Sequence, residues 1–477
     1  IMDTLAASID AFMAPLASTL SSVVFFAVPL LGQDVPLVVL WLAIGALFFT
    51  FYLRFINIRG FWLAFRHVRG DFKDPSAEGE ISHFRALATA ISGTVGVGNI
   101  GGVAVAISLG GAGAAFWLFV AGFLSMSTKL IECTLGVKYR RVHPDGTVSG
   151  GPMYYLDAYF TERHWPKVGR SLGMLYALAL VVGCFGVGNM FQSNQAYQQM
   201  LVITGGETSF LVDYSLAFGI ALAAIVGVVI IGGITSIARA AAVIVPFMAG
   251  IYILGCLVII SMSWENIPAA IASAVSGAFG SDAMAGGALG ALIIGFQRAL
   301  FSNEAGLGSA SIAHSAVKTK EPASEGLVGL LEPFIDTVVL LTLSSLVILT
   351  TAVPNGLMGG ELAGIELTSA AFAYHLPWAP YLIACAAVLF AFSTALAWSY
   401  YGLTAWNYLV GIGKWRTIAF QAIFLTFFAL GRVLELRAIL DFSDAMIFLI
   451  AIPNLIALYL FAPMVKREVE SYLQEAR

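Results

Sequence analysis

Ionisable side chains interrupt long apolar stretches of this sequence, where they could bind a charged solute. Glu304 stands in one such stretch, and Glu332 and Asp336 are four residues apart in the next. Charged groups inside a membrane are costly and are usually functional. Glu304 is therefore a candidate either for closing a broken helix or for binding an ammonium group. We expect Arg298 to tie Glu304 or Glu132 across helices.

Glu332 and Asp336 would share one face of an α-helix because of their spacing. Together with Asn99 they could form a second cation site or a proton site. The alternative is that both carboxylates only accept hydrogen bonds from neighbouring backbone and water.

Neutral polar side chains form a second group of candidates. Gln192 belongs to a stripe with Asn189 and Gln195, and residues three apart lie on one flank of a helix. Gln192 is a candidate substrate contact, with a solvated outer cap as the alternative. Ser393 and Thr394 could bind a cation or could only hydrogen-bond to the preceding helical turn.

Two bulky aromatic residues bear on the size of any substrate. Phe301 precedes the Glu304 segment, and Trp398 lies one helical turn beyond Thr394. Together they would narrow a pocket to a small side chain. This favours glycine or alanine over leucine as the ligand.

The composition excludes a soluble protein. Of 477 residues, 59% are hydrophobic and 11% are charged, whereas soluble domains carry about 25% charged residues. The net charge of −4 gives no basic surface for nucleic acid. The four cysteines and six histidines lack metal-site spacing, and no organic cofactor is expected. The GxGxxG at Gly96–Gly101 lies in an apolar span, which argues against a nucleotide site.

The apolar stretches predict eleven transmembrane helices, since about 20 residues cross a bilayer. They span residues 36–53, 84–109, 113–137, 172–198, 214–233, 240–262, 288–315, 326–352, 379–407, 417–434 and 443–465. All Lys and Arg residues except Arg298, Arg432 and Arg437 then fall on one side. By the positive-inside rule that side is the cytoplasm. We therefore expect the N-terminus outside and the C-terminus inside a bacterial or archaeal plasma membrane.

Two similar segments predict an inverted repeat. Ser92-Gly93-Thr94-Val95-Gly96-Val97-Gly98-Asn99 aligns without gaps with Ser302-Asn303-Glu304-Ala305-Gly306-Leu307-Gly308-Ser309. The spans that carry them enter from opposite sides, so spans two to six and seven to eleven form a five-plus-five repeat after one extra helix. Gly-interrupted spans in corresponding positions are the best sequence indication of a transporter site.

The repeat divides the chain into five parts. We expect an extracytoplasmic segment at 1–35, with an interfacial helix within 11–31, and then the extra helix and cytoplasmic link at 36–83. The two repeats occupy 84–262 and 288–465, and a cytoplasmic tail occupies 466–477.

The glycines have a physical purpose in such a repeat. Where a helix breaks inside a membrane, freed N–H and C=O groups must find other partners. Half-helix N-termini suit a carboxylate, and bare carbonyls suit an ammonium group or a cation. An amino acid zwitterion with a cation would satisfy both.

Both segments, together with Thr147-Val148-Ser149-Gly150-Gly151-Pro152-Met153, resemble signature segments of the bacterial alanine/glycine:cation symporters. The resemblance covers nearly all of the chain from residue 36. It implies the leucine-transporter fold, an all-α polytopic protein, and cation-coupled uptake of small neutral amino acids. Glu304 departs from the wider fold, where the matching position is neutral and small.

Site residues follow from the resemblance. For sodium it implies backbone carbonyls of Ser92, Val95 and Phe390 and hydroxyls of Ser393 and Thr394. For the amino acid it implies backbone contacts from Thr94, Gly96, Val97 and Gly98 and a cup around Phe301 and Ser302.

The sequence thus predicts a sodium-coupled symporter of small neutral amino acids that works by alternating access in a lipid bilayer, and not an enzyme. Proton coupling through Glu304, Glu332 and Asp336 is the nearest alternative. A channel is a more distant one. The oligomeric state is not indicated.

Overall fold

The protein is almost entirely helical in a computed structural model that describes residues 14–30, 33–280, 287–358, 362, 364–431 and 437–476. The helices of the first half are α1 (Ala14–Val24), α2 (Leu37–Tyr52), α3 (Ile56–Arg59), α4 (Phe61–Arg69), α5 (His83–Thr94), α6 (Val97–Gly110), α7 (Ala112–Lys138), α8 (Pro152–Glu162), α9 (Pro166–Phe185), α10 (Phe191–Ile203), α11 (Ser215–Ile230) and α12 (Gly233–Met262).

Helices of the second half begin with a short one that was not expected. They are α13 (Ile267–Phe279), α14 (Gly287–Asn303), α15 (Ala310–His314), α16 (Pro322–Gly329), α17 (Leu331–Pro333), α18 (Thr342–Val347), α19 (Ile365–His375), α20 (Ala379–Val410), α21 (Lys414–Leu430) and α22 (Arg437–Glu475). Wider π-helical turns at Gly186–Met190, Phe334–Leu341 and Ile348–Ala352 join neighbouring helices.

Two small antiparallel hairpins complete the described chain. Strand β1 (Ala27–Leu30) pairs with β2 (Gln33–Pro36), and β3 (Arg141–Val142) pairs with β4 (Val148–Ser149). The interfacial helix predicted within 11–31 corresponds to α1 in its described part, followed by the first hairpin. Residues 11–13 and 31 of that prediction lie outside the described residues.

Long apolar helices make this a multi-pass membrane protein. Six described helices are long and apolar enough to cross a bilayer, and the bent pair α5–α6 would be a seventh. A helix or helix pair lies at each of the eleven predicted stretches. Since several of these helices are short, the number of eleven crossings and the inverted repeat stay predictions.

Helix α7 lies at the centre of the packing, where it contacts α2, α13, α14 and α16. Small residues allow this close approach, as is usual between membrane helices. A Cβ on Gly113 would come within 2.3 Å of the backbone of Gly277, and one on Gly122 within 2.5 Å of Thr337. This packing brings the acidic and basic residues of α7 beside the second broken span.

Candidate functional site

The first break separates α5 from α6. Thr94 ends α5, Gly96 is extended with φ −116° and ψ −170°, and α6 begins at Val97 with a bend of 48°. Asn99 stabilises the break because its Oδ1 accepts a hydrogen bond from Gly96 N at 2.9 Å. The first N–H groups of α6 have no helical partner of their own, so this turn can receive an anionic group.

The second break runs from Glu304 to Ser309, between α14 and α15. Glu304, Gly306 and Gly308 have φ values of +55°, +94° and +81°, a left-handed region that only glycine enters freely. The Glu304 carboxylate accepts a hydrogen bond from the hydroxyl of Ser309. Glu304 therefore helps to close the broken helix, which is one of the two roles expected for it.

Most freed backbone groups of the second break bind protein side chains. Glu132 Oε1 accepts hydrogen bonds from the N–H groups of Gly306 at 2.8 Å and Gly308 at 3.0 Å. Asn454 Nδ2 donates to the same Glu132 oxygen and to Gly306 O, both at 2.8 Å. The second break is thus held by α7 and α22, and the first break is the better place for ligand contacts.

A cavity of about 230 Å³ lies between the two breaks. All nine residues expected to contact the substrate line it: Thr94, Gly96, Val97, Gly98, Gln192, Phe301, Ser302, Glu304 and Trp398. Gly98 faces open space, since a Cβ there would meet no atom within 4 Å.

Gln192 presents a buried oxygen that lacks a partner. Its Nε2 donates to Val187 O at 3.0 Å, but Oε1 has no hydrogen-bond partner. The side chain is 4% exposed, so the outer-cap alternative does not hold. A buried acceptor without a partner costs free energy, and a ligand ammonium group would relieve that cost.

Trp398 and Phe301 bound the cavity on two sides. Trp398 Nε1 donates to Gly93 O at 3.2 Å, and the indole packs so closely on Gly188 that a Cβ there would lie 2.1 Å from it. Phe301 stacks with Phe448 at 6.3 Å between ring centroids. Both aromatic side chains are held by packing, which fits the expected limit on substrate size.

The expected sodium ligands lie beside the cavity in α5 and α20. Thr394 Oγ1 lies 3.5 Å from Val95 O, so a hydroxyl and a carbonyl from two helices meet. Ser393 Oγ donates to Phe390 O at 3.0 Å within its own helix. This hydrogen bond to the preceding helical turn is the alternative to cation binding that the sequence left open for Ser393. Ser92 Oγ likewise donates within α5, to Thr89 O at 2.7 Å.

The expected second cation site is split between two places. Asn99 Nδ2 donates to Asp336 Oδ1 at 2.5 Å and to Ser302 Oγ at 3.1 Å, and Ser302 donates to Asp336 Oδ2 at 2.9 Å. Glu332 instead forms an ion pair of 3.0 Å with Lys129, and both side chains are fully buried. The Lys129 ammonium is thus already the cation at Glu332.

Two expectations about basic residues are wrong. The charge tally placed Lys129 on the cytoplasmic side, whereas it is buried inside the protein. Within the described residues, Arg298 forms no ion pair with Glu304 or Glu132, and those carboxylates bind Ser309 and Asn454. Arg298 lines the cavity instead.

A buried cluster that the sequence reasoning missed joins the two broken spans at their predicted cytoplasmic ends. Glu325 in α16 binds the Nδ1 atoms of His83, which begins the α5 region, and of His314, which ends α15. His67 lies against His83, with ring centroids 5.2 Å apart. Burial lowers the pKa of His67, in the link predicted to be cytoplasmic, to about 4, which favours the neutral ring at pH 7.

Backbone pairing strengthens this junction. Ile81 and Val317 form a parallel β-bridge, and Lys318 N donates to Ile81 O at 2.8 Å. Arg140 donates to four carbonyl oxygens, those of Ser315, Val317, Glu78 and Thr319, at 2.9, 2.5, 2.8 and 3.0 Å. We call residues 78–82, residues 315–319 and Arg140 the clasp.

Comparisons with known proteins place the chain in a transporter family. The model of the sodium:alanine symporter family matches residues 18–477. The sodium/alanine symporter AgcS of Methanococcus maripaludis is 39% identical over 91% of this chain and 94% of its own. The amino-acid carrier protein AlsT of Bacillus subtilis is 32% identical over 90% of this chain and 88% of its own.

A solved structure shows the fold. The crystal structure of MhsT in complex with L-phenylalanine superposes with a TM-score of 0.56, at 14% identity, over 82% of this chain and 98% of that one. The fold is therefore that of the leucine transporter. The chain belongs to the sodium:alanine symporter family and is a secondary transporter, which confirms the expected family.

Proposed function

We propose that this member of the sodium:alanine symporter family imports alanine or glycine together with sodium by alternating access. The observation that carries the proposal is the cavity between the breaks, where Gln192 Oε1 lacks a partner. The substrate ammonium group would bind this oxygen, with Glu304 on the same cavity wall. The substrate carboxylate would bind the first turn of α6 at Val97 and Gly98.

Sodium coupling is supported by the approach of Thr394 to Val95. In the proposal, a sodium ion binds the Thr394 hydroxyl and the Val95 carbonyl, with Ser393 and the carbonyls of Ser92 and Phe390 as further ligands. A cation at this position would hold α20 against α5. A Cβ on Gly96 would lie 3.1 Å from Thr394 Oγ1 and 3.4 Å from the Gln192 amide, so the ion and the substrate would be neighbours.

The coupling follows from this proximity. Sodium bound at Thr394 fixes the first break in the shape that receives the substrate, so each solute favours binding of the other. One charge entering through a membrane potential of roughly 100 mV releases about 2.3 kcal/mol. The remaining helices then close one face and open the other around the bound pair, with the C-terminus in the cytoplasm.

A proton is the rival coupling ion because acidic groups surround the cavity. Glu304 lines it, and Asp336 contacts Ser302, which also lines it. In that case the carboxylates would take up the proton and Thr394 would only hydrogen-bond to Val95.

The test is uptake of labelled alanine and glycine into proteoliposomes under an imposed sodium, potassium or pH gradient of equal size. We expect accumulation only with sodium, suppressed by excess of the other amino acid and unaffected by excess leucine. Accumulation driven by the pH gradient alone would transfer the coupling to the carboxylates. Absence of uptake of both amino acids under every gradient would reject the substrate assignment.

A further inference from the structure

A cleft that shares no lining residue with the substrate cavity opens on the side that the lysines and arginines assign to the cytoplasm. Its volume is about 500 Å³. We name it the interfacial cleft and define it by Arg141, Asp157, Arg170, Met174, Asn407 and Ile412 among its lining residues. It lies where α8, the start of α9 and the end of α20 meet, and it has no part in the proposed transport route.

The cleft carries an excess of positive charge. Arg141 forms an ion pair with Asp157, with an Nη2–Oδ2 distance of 2.9 Å, which neutralises part of the positive charge. Arg170 is exposed and forms no ion pair within the described part of the chain. Arg416 adds charge at the rim, since its Nη1 would lie 2.6 Å from a Cβ on Gly411. An anion would be attracted here.

A second polar group points to a ligand that also offers hydroxyl groups. Asn407 Oδ1 is buried in the cleft wall and has no hydrogen-bond partner. The phosphodiester of a lipid headgroup carries no O–H, offers only acceptors and would not satisfy this oxygen. A headgroup with a phosphate for Arg170 and a hydroxyl for Asn407 would satisfy both.

The apolar surroundings favour a lipid as the ligand. Met174 lines the cleft and is 48% exposed, and Leu178, one turn further along α9, is 55% exposed. These side chains form an apolar path from the cleft along a membrane helix, suited to an acyl chain. Trp165 and Trp415 are 65% and 79% exposed nearby in sequence, and exposed tryptophans are typical of the membrane interface.

We propose that the interfacial cleft binds an anionic phospholipid of the cytoplasmic leaflet, with phosphatidylglycerol as the headgroup type. The phosphate lies between Arg170 and Arg141, a glycerol hydroxyl donates to Asn407, and one acyl chain follows Met174 and Leu178. Basic pockets beside membrane helices bind anionic headgroups in this way.

The experiment is thermal unfolding of the full-length protein in a neutral detergent during titration with dioctanoyl phosphatidylglycerol. Parallel titrations use dioctanoyl phosphatidylcholine and inorganic phosphate. We expect phosphatidylglycerol to raise the unfolding temperature more than either. Arg170→Gln should raise the half-effective lipid concentration about fivefold, since each basic residue near an anionic surface contributes about 1 kcal/mol.

Two further variants keep the result unambiguous. Arg59→Gln removes an exposed arginine outside the cleft and should leave the titration unchanged. Asn407→Leu keeps the charge and should raise the half-effective concentration about fivefold, the value of one hydrogen bond. The proposal would be overturned if phosphatidylcholine or inorganic phosphate raised the unfolding temperature as much as phosphatidylglycerol does. It would also be overturned if Arg59→Gln raised the half-effective lipid concentration as much as Arg170→Gln does.

Discussion

At the scale of single residues, the hydroxyl group of Thr394 reaches a carbonyl outside its own helix. Its hydroxyl lies 3.5 Å from Val95 O, across the boundary between α20 and α5. Thr404 is also buried in α20, but its hydroxyl donates only to Tyr400 O in its own helix, at 2.9 Å. The same residue type therefore links two helices at one position and satisfies only its own helix at the other.

Replacing Thr394 with Val should weaken sodium activation of uptake. The variant keeps the shape of the side chain but removes the oxygen that the proposal assigns to the ion. Loss of one contact to a charged group corresponds to at least about a tenfold rise in the sodium concentration for half-maximal uptake. The matched variant Thr404→Val should retain normal activation. Wild-type sodium activation in the Thr394 variant would remove this hydroxyl from the mechanism.

Sequence reasoning located both helix breaks, because a local glycine motif marks each of them. The two breaks stand in alignable segments, and the structure brings Gly96 and Gly98 of the first and Ser302 and Glu304 of the second to one cavity. Pairings between residues without a local signal were missed. Lys129 and Glu332 are 203 positions apart, and Asn454 stands alone in an apolar helix. Such isolated polar residues in apolar spans indicate buried partners but do not say which.

At the scale of elements, helix type bears on the expected second cation site, in which Glu332 and Asp336 bind different partners. The spacing of Glu332 and Asp336 predicts a shared face only for a regular α-helix. Asp336 lies in the π-helical stretch Phe334–Leu341, directly after α17. The wider turns change the directions of the side chains that follow; Asp336 binds Asn99, and Glu332 pairs with Lys129. The sequence contains no simple signal for a π-helical turn.

The two breaks should respond differently to an added methyl group. Gly306→Ala places a Cβ at φ +94°, 2.2 Å from Leu42, and strained positions of this kind cost about 1–3 kcal/mol. We expect a lower unfolding temperature and poor recovery of folded protein. Gly98→Ala meets no atom within 4 Å, so that variant should fold normally but should take up alanine less well.

Thermal unfolding of both variants, with uptake measured for Gly98→Ala, checks this contrast. A stable, active Gly306 variant would show that the second break does not need its left-handed backbone. Unchanged uptake by the Gly98 variant would place the substrate elsewhere in the cavity.

At the scale of the whole molecule, the clasp connects the predicted repeats at one face. Residues 78–82 precede the first broken span and residues 315–319 follow the second. Arg140, at the end of α7, binds carbonyls of both. Glu325 adds a buried link between His83 and His314. Any opening on this face, which is predicted to be cytoplasmic, must first loosen these contacts if it separates the broken spans.

Arg140→Gln should therefore favour the open cytoplasmic face. The variant removes a guanidinium group that donates four hydrogen bonds to carbonyl oxygens, and bonds to charged groups contribute about 1.5–3 kcal/mol each. Losing even part of this stabilisation should raise hydrogen–deuterium exchange of amides in 78–82 and 315–319 by about tenfold or more. Arg141→Gln is the matched control, because Arg141 binds Asp157 and not the clasp. Equal protection of both segments in the two variants would mean that the β-bridge and Glu325 hold this face closed without Arg140.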